Sequence, residues 1–268
     1  MGFFSKLFEK KECAFCGGEI GMLGNRKLED GNMCKTCAKK LSPWFDDRRH
    51  STVEQIGKQL AYREENRSKV ASFHTTLSFG DTKKLLLDEG AGLFMITSAD
   101  TADEMDQENP DVLSVMDVTG CELDIDENHR ELMQTDKEGK RVSYVPPRFQ
   151  YDYNFYLRVQ VNNPYFSDMN LRLNRNTLEI ITQQPQLANK LGMIGRVLRD
   201  IEPETSVEYR HYKKMGEDAK DALLGLRQNS REQKAAESQP VQKIQCPYCC
   251  AMIVPDGSGQ CEFCGGSI

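Results

Sequence analysis

Between Ser72 and Ile181 the pattern of apolar positions is that of strands, and in the clearest stretch Tyr151, Tyr153, Phe155, Leu157, Val159 and Val161 alternate with mostly polar neighbours. That two-residue period predicts a half-buried strand of an antiparallel sheet. Shorter runs at Phe73–Phe79, Lys84–Leu87, Gly92–Thr97, Asp111–Val118 and Glu122–Ile125 predict further strands, and Leu171, Leu173 and then Leu178–Ile181 a final hairpin. Helical spacing frames this block. Ser51-Thr-Val-Glu54 is a capping-box pattern, and Val53, Ile56, Leu60, Arg67 and Val70 follow at helical intervals, so residues 52–71 read as a helix. Helical spacing returns over Leu187–Ile201 and Val207–Leu226. Strands closed by helices predict an α+β class with a central antiparallel β-rich domain over residues 72–227.

At the two ends this periodicity gives way to cysteine spacing. Eight of the ten cysteines form four C-x-x-C pairs, Cys13/Cys16 with Cys34/Cys37 and Cys246/Cys249 with Cys261/Cys264, and 17 and 11 residues separate the pairs within each set. One such turn aims two thiolates at an ion and a second completes a tetrahedral shell, so the spacing predicts two structural zinc ions. Segments this short need such a staple to fold. A redox C-x-x-C stands alone in a βαβ unit, and none of these has that setting. Disulfides require an oxidising compartment. The first eleven residues show no signal-peptide core, and no run reaches the roughly 18 apolar residues of a membrane span, so a cytoplasmic location is expected. Phe3, Phe4, Leu7 and Phe8 would share one side of a short amphipathic helix, either packed on the first module or touching a membrane or partner. Gly2 is no myristoylation signal, because Lys6 stands where Ser or Thr is needed.

In the N-terminal module, residues 1–48, Cys16-Gly17-Gly18 follows the knuckle pattern, in which glycines let amide groups point at the sulfurs. Gly21, Gly24 and Asp30-Gly31 predict a small hairpin, and Cys34-Lys-Thr-Cys37-Ala-Lys-Lys-Leu41 a helix stopped by Ser42-Pro43. Knuckle, hairpin and helix make a treble-clef-like order. From Cys13 to Pro43 this run resembles an uncharacterised bacterial family of small N-terminal zinc domains, a likeness that implies zinc ligands and no known activity.

A connecting helix, 49–71, leads into the β-rich domain, and residues 228–245, rich in Gln, Ser, Lys and Glu, read as a flexible linker to a ribbon over 246–268. The last segment is similar to the short zinc ribbons that close many bacterial proteins. It departs from them at Cys250, where glycine is usual, which predicts a strained knuckle and a second thiol able to compete with Cys249 as ligand; spacing favours Cys249 and leaves Cys250 as a spare thiol. Tyr248, Ile253, Val254 and Phe263 admit two readings, an interaction surface or the ribbon's own minimal core. Within the middle domain, Leu85-Leu-Leu-Asp-Glu-Gly-Ala-Gly-Leu-Phe and the run from Val112 are similar to bacterial pleckstrin-homology-like or GRAM-like sheets.

Charge narrows the partners. Residues 1–48 carry 9 basic and 7 acidic side chains, whereas residues 72–190 carry 11 and 20, within a chain of net charge −6. Two loaded four-thiolate sites would take that to about −10. Such a chain is a poor non-specific nucleic-acid binder, and Lys35, Lys39 and Lys40 read as offsetting thiolate charge. P-loop, zincin, nucleophile-elbow and dinucleotide motifs do not occur. The sharpest catalytic pair, Cys121 with His129, straddles Asp124, Asp126 and Glu127, an acidic setting that would raise a thiol pKa, so it reads as a buried cysteine and a surface histidine. The acidic run Asp100, Asp103, Glu104, Asp106, Glu108 and Asp111 lacks the calcium-loop order and reads as a solvated loop. Two functions follow: a non-enzymatic zinc-binding adaptor with a protein partner, or a nucleic-acid-associated zinc protein that contacts phosphates through Lys35, Lys39, Lys40 and Arg48.

Overall fold

A computed structural model describes residues 11–21, 23–190, 193–200, 202–237, 244–254 and 257–268. The proposed leader helix lies outside these residues. Helices and antiparallel sheets are both present, with a small four-cysteine module near each end. The chain divides into two compact units, residues 1–227 and 228–268.

The first unit opens with β1 (Lys11–Glu12) paired to β2 (Glu19–Ile20), then the hairpin of β3 (Asn25–Lys27) and β4 (Asn32–Cys34), and the short helix α1 (Lys35–Ala38). A 3-10 turn at Asp47–His50 leads into α2 (Val53–Ser72). The capping box of α2 is Thr52 with Gln55, one residue later than Ser51 with Glu54. Ser51 instead donates its hydroxyl to the Asp47 carbonyl (2.8 Å). The first turns of α2 belong to the module's core, since Ile56 is buried with Leu28, Met33, Leu41, Cys13 and Cys37, and Val53 and Leu60 pack against them.

Two sheets follow. β5 (Leu77–Phe79), β6 (Lys84–Asp88), β7 (Leu93–Thr97) and β8 (Leu113–Ser114) form an antiparallel meander. The unbroken apolar run of β6 follows from burial on both faces. Leu85 and Leu87 enter the main core, while Leu86 joins Met95 and Val112 beneath Val70 and Phe73 at the end of α2. The second sheet is built on two long strands, β9 (Val118–Thr135) and β10 (Arg141–Val161). Along β10, Tyr153, Phe155, Leu157, Val159 and Val161 are buried, the alternation expected from the sequence. Toward the far end of the ribbon most side chains on both strands lie open to solvent, and Pro146 and Pro147 fall in an irregular stretch between Ser143 and Arg148.

β11 (Asp168–Arg172) and β12 (Leu178–Ile181) do not pair with one another as a hairpin. Both pair with β10, at 156–160 and 150–153, end to end along its other edge. Asn174 makes this possible by acting as substitute backbone: its Oδ1 accepts from the Phe155 amide (2.9 Å) and its Nδ2 donates to the carbonyls of Tyr153 (3.2 Å) and Asn176 (2.7 Å). The helix expected over 187–201 is a hairpin of β13 (Gln183–Lys190) and β14 (Met193–Asp200). Its sequence includes Gly192 and Gly195, each of which costs a helix about 1 kcal/mol relative to alanine. Helix α4 (Val207–Glu237) covers the core through Tyr209, Ala219 and Leu223 and runs on into the stretch expected to be linker, where Gln, Lys, Arg, Ala and Glu are all good helix formers.

Four of the six acids in the acidic run, Asp103, Glu104, Asp106 and Glu108, lie not in a loop but on the helix α3 (Ala102–Glu108). Its acids are engaged locally: Glu104 closes a capping box with Thr101, Glu108 accepts from the Ser98 amide and hydroxyl, and Asp106 pairs with Arg67 at 3.0 Å. Beyond it lies a buried polar cluster that joins the N-terminal module to the sheets. Arg63 of α2 meets Asp111 at 2.8 Å and donates to the Lys40 carbonyl, while the Ser42 hydroxyl donates to the other Asp111 oxygen at 2.7 Å. One turn further on, the Asn66 amide group donates to Asn109 Oδ1 and the Pro110 carbonyl, and its oxygen accepts from the Val112 amide. The fully buried positions of α2 are therefore Ile56, Gln59, Arg63 and Asn66; of the stripe read from spacing, Val53, Leu60 and Val70 pack beside them, while Arg67 turns outward to Asp106.

Burial pushes the Asp111 carboxyl above its ordinary range, against the opposing pull of Arg63 and Ser42. Removing one partner of such a pair strands the other charge. Asp111→Ala should cost about 3–5 kcal/mol, and Asp111→Leu combined with Arg63→Met much less. Urea unfolding of the full chain measures both, and a cost below about 1 kcal/mol for Asp111→Ala would contradict the stranded-charge account.

Candidate metal centres

Three of the four C-x-x-C turns share one backbone design. The residue after the second cysteine donates its amide to the carbonyl of the first, as in Gly17 to Cys13 (2.9 Å), Cys250 to Cys246 (2.9 Å) and Gly265 to Cys261 (2.8 Å). The first cysteine's own amide donates in turn to the carbonyl five residues on, at Gly18, Ala251 and Gly266. This closed turn leaves amide groups free to face sulfur. The fourth pair is different: Cys34 ends β4 and caps α1, its sulfur accepting from the Cys37 amide (3.3 Å) while its own amide donates to Cys13 Sγ (3.3 Å).

The sulfurs of Cys13, Cys16, Cys34 and Cys37 lie within 4.8 Å of one another, as do those of Cys246, Cys249, Cys261 and Cys264. Across the pairs, Cys16 and Cys34 stand 3.8 Å apart, and Cys246 and Cys264, like Cys249 and Cys261, 3.7 Å. Four sulfurs each about 2.3 Å from a central ion would stand about 3.8 Å apart at the corners of a tetrahedron. A disulfide would require about 2 Å. Either set could hold a metal ion. In each, two cysteines are buried, Cys13 and Cys37 or Cys246 and Cys261, while Cys16, Cys249 and Cys264 are exposed and Cys34 is half-buried.

Proton affinities within each set diverge. Burial acts to raise the Cys13 thiol, but the amides of Cys34, Phe15 and Cys16 outweigh it and hold it down to about 6. Its neighbour Cys37 is pushed up to about 12 by burial and by the thiols of Cys34, Cys16 and Cys13. The second set repeats the pattern. The Cys249 amide leads in holding Cys246 to about 6. For Cys249 the Ala251 amide pulls down, yet burial and the sulfurs of Cys264, Cys246 and Cys261 drive it up to about 12. Each set thus holds one thiol that ionises readily beside one that resists, and a divalent cation at the centre would remove that conflict and let all four ionise.

Residues 11–59 match a domain family described as a domain of unknown function (DUF4428). The matched stretch takes in the first four-cysteine set and the start of α2, the part of the helix that closes the module's core. No curated protein and no solved structure matches the chain. Among the described residues, no helix is long and apolar enough to cross a membrane.

Cys121 and His129 are not brought together. They sit on one strand, β9, eight residues and about 26 Å apart at ~3.3 Å per residue. Burial pushes the Cys121 thiol up to about 12, and His129 stacks on Tyr151 with ring centres 5.3 Å apart. Cys250 lies outside the sulfur cluster, exposed, with φ +61°. The matching positions in the other two knuckles are Gly17 at +68° and Gly265 at +69°, so the strain expected from the sequence is present. A left-handed residue with a Cβ costs roughly 1–2 kcal/mol. Cys250→Gly should therefore tighten metal retention at the C-terminal site about fivefold, equivalent to ~1 kcal/mol, in chelator competition on the full chain. Unchanged or weaker retention would show that the turn carries no such cost.

Proposed function

We propose that both centres hold structural zinc and that the protein is a non-enzymatic adaptor working through protein surfaces. The reading is carried by the sulfur geometry: four protein ligands at tetrahedral spacing fill every position around the ion and leave none for water or substrate. Soft thiolates in tetrahedral array favour zinc over the harder divalent cations. In the middle, a four-stranded meander, a second sheet and a closing helix form a scaffold whose order supports a pleckstrin-homology-like reading.

The ribbon supports an adaptor role. Ile253 is buried with Cys246 and Cys261 and forms its core with Ala251 and Ile268. Tyr248 is 70% exposed and Phe263 68%, with Met252 and Val254 also open to solvent. Of the four residues weighed from sequence, one serves the module and three are available to a protein partner. So much exposed apolar surface on so small a body supports an interaction site.

Native mass spectrometry of metal-replete protein should find two zinc ions per chain; one or none would overturn the metal reading. The surface is tested separately. Tyr248→Ser with Phe263→Ser should retain both ions yet reduce recovery of cross-linked partners relative to the unmodified chain, because neither side chain supplies a ligand. Unchanged recovery would remove the ribbon from the adaptor's binding surface.

A further inference from the structure

The N-terminal module has a cleft of about 320 Å³ between α1 and the 3-10 turn at Asp47–His50. Arg26 of β3, Lys35 and Lys39 flanking α1's second ligand, and Arg48 of the 3-10 turn line it, with Asp46 the single acid and Phe45 an apolar wall. We propose that this cleft binds a phosphate-bearing anion. The inference rests on the metal reading, since the four-sulfur centre fixes the hairpin and α1 against each other.

Four cations face the cleft, and among the described residues none of them forms an ion pair with a carboxylate. Arg48 is held in position by donating from Nη1 to the Lys27 carbonyl at 2.7 Å. Its guanidinium is shifted below its ordinary value, first by burial and then by repulsion from Arg26 and Arg49, so positive charge has been gathered here against an electrostatic cost. Offsetting the metal centre does not account for all of it. A divalent ion with four thiolates carries about −2, which four cations exceed even after Asp46 is counted.

The ligand chemistry follows from the donors. Two guanidinium forks and two ammonium groups around a bounded hollow suit a tetrahedral dianion, with arginine binding it in bidentate fashion and lysine as a point charge. A nucleic-acid strand needs cations spread along a track. Here they converge on one cleft, and residues 72–190 stand at 11 basic against 20 acidic side chains. Free phosphate and a phosphorylated side chain share the chemistry and differ only in what carries the phosphate.

The test is isothermal titration of the zinc-loaded full chain with inorganic phosphate and, separately, with a phosphoserine-containing peptide. Lys35→Gln with Lys39→Gln, and Arg26→Gln alone, are titrated in parallel, and bound zinc is measured in every sample. Saturable binding of at least one probe is expected, weakened about tenfold or more by the double variant, with two zinc ions retained; the two arms distinguish free phosphate from a carried one. Three outcomes would overturn the proposal: no saturable binding of either probe to protein that holds its zinc, binding that the variants leave unchanged, or loss of zinc from the variants, which would show that the cations serve the thiolates. Binding of a single-stranded RNA oligonucleotide without either probe would overturn it equally. Wild-type protein without zinc would instead defeat the metal reading.

Discussion

Arg63 and Asp111 face each other with almost no access to water, and three segments far apart in sequence must meet for their charges to be balanced. Ser42 comes from the end of the four-cysteine module, Arg63 from the middle of α2, and Asp111 from the turn before the first sheet's last strand. A buried carboxylate left alone would be costly, so these segments gain from meeting together rather than piecemeal. Asn66 and Asn109 extend the same logic one turn further: Asn66 satisfies the Pro110 carbonyl and the Val112 amide, and Asn109 donates its side-chain amide to the Arg63 carbonyl. Small metal modules are often tethered to the domains they accompany. This one is joined by a polar cluster, and Trp44 reaches past it into the main core, with Lys83 over its ring at 4.5 Å.

The cysteine centres act at a different scale. Each organises a segment too small to bury a core of its own: the first gathers Leu28, Met33 and Leu41 around it, and the second little more than Ile253. Their chemistry is alike, but their surroundings are not. The first module shares apolar contacts with α2 and a polar cluster with the sheets, whereas the second belongs to a separate compact unit. The same ion at the two sites would therefore support folds of different independence.

The sequence was most readable where a single local rule decides the outcome. Spacing alone placed the eight clustered cysteines, and alternation alone placed the inward side chains of β10 from Tyr153 to Val161. Readings failed where two local rules agreed but a distant partner decided. Leu178–Ile181 has the look of a hairpin strand, yet it pairs with β10, because Asn174 mends the gap between two strands sharing an edge, and a lone asparagine announces nothing of the kind. The polar inner face of α2 was missed because helical periodicity counts apolar residues, and here Gln59, Arg63 and Asn66 occupy the buried stripe. Their spacing of four and three was the signal available. The basic cleft was partly visible in Lys35, Lys39 and Arg48, but Arg26 joins them only through the β3–β4 hairpin.

If zinc fills both sites as proposed, the left-handed backbone at Cys250 makes the two ends of the chain unequal reservoirs of the metal. With zinc at both sites, the knuckle that bears a side chain where glycine fits gives up its ion at a higher free zinc activity than the relaxed knuckle at Gly17. Folding of each module is coupled to its own ion, so the chain passes through three states of loading instead of two. In the intermediate state the N-terminal module is still locked to the sheets while the ribbon, with Tyr248 and Phe263, has lost its shape. Scarcity of the metal would thus unmake the ribbon's exposed apolar surface while sparing the body of the protein.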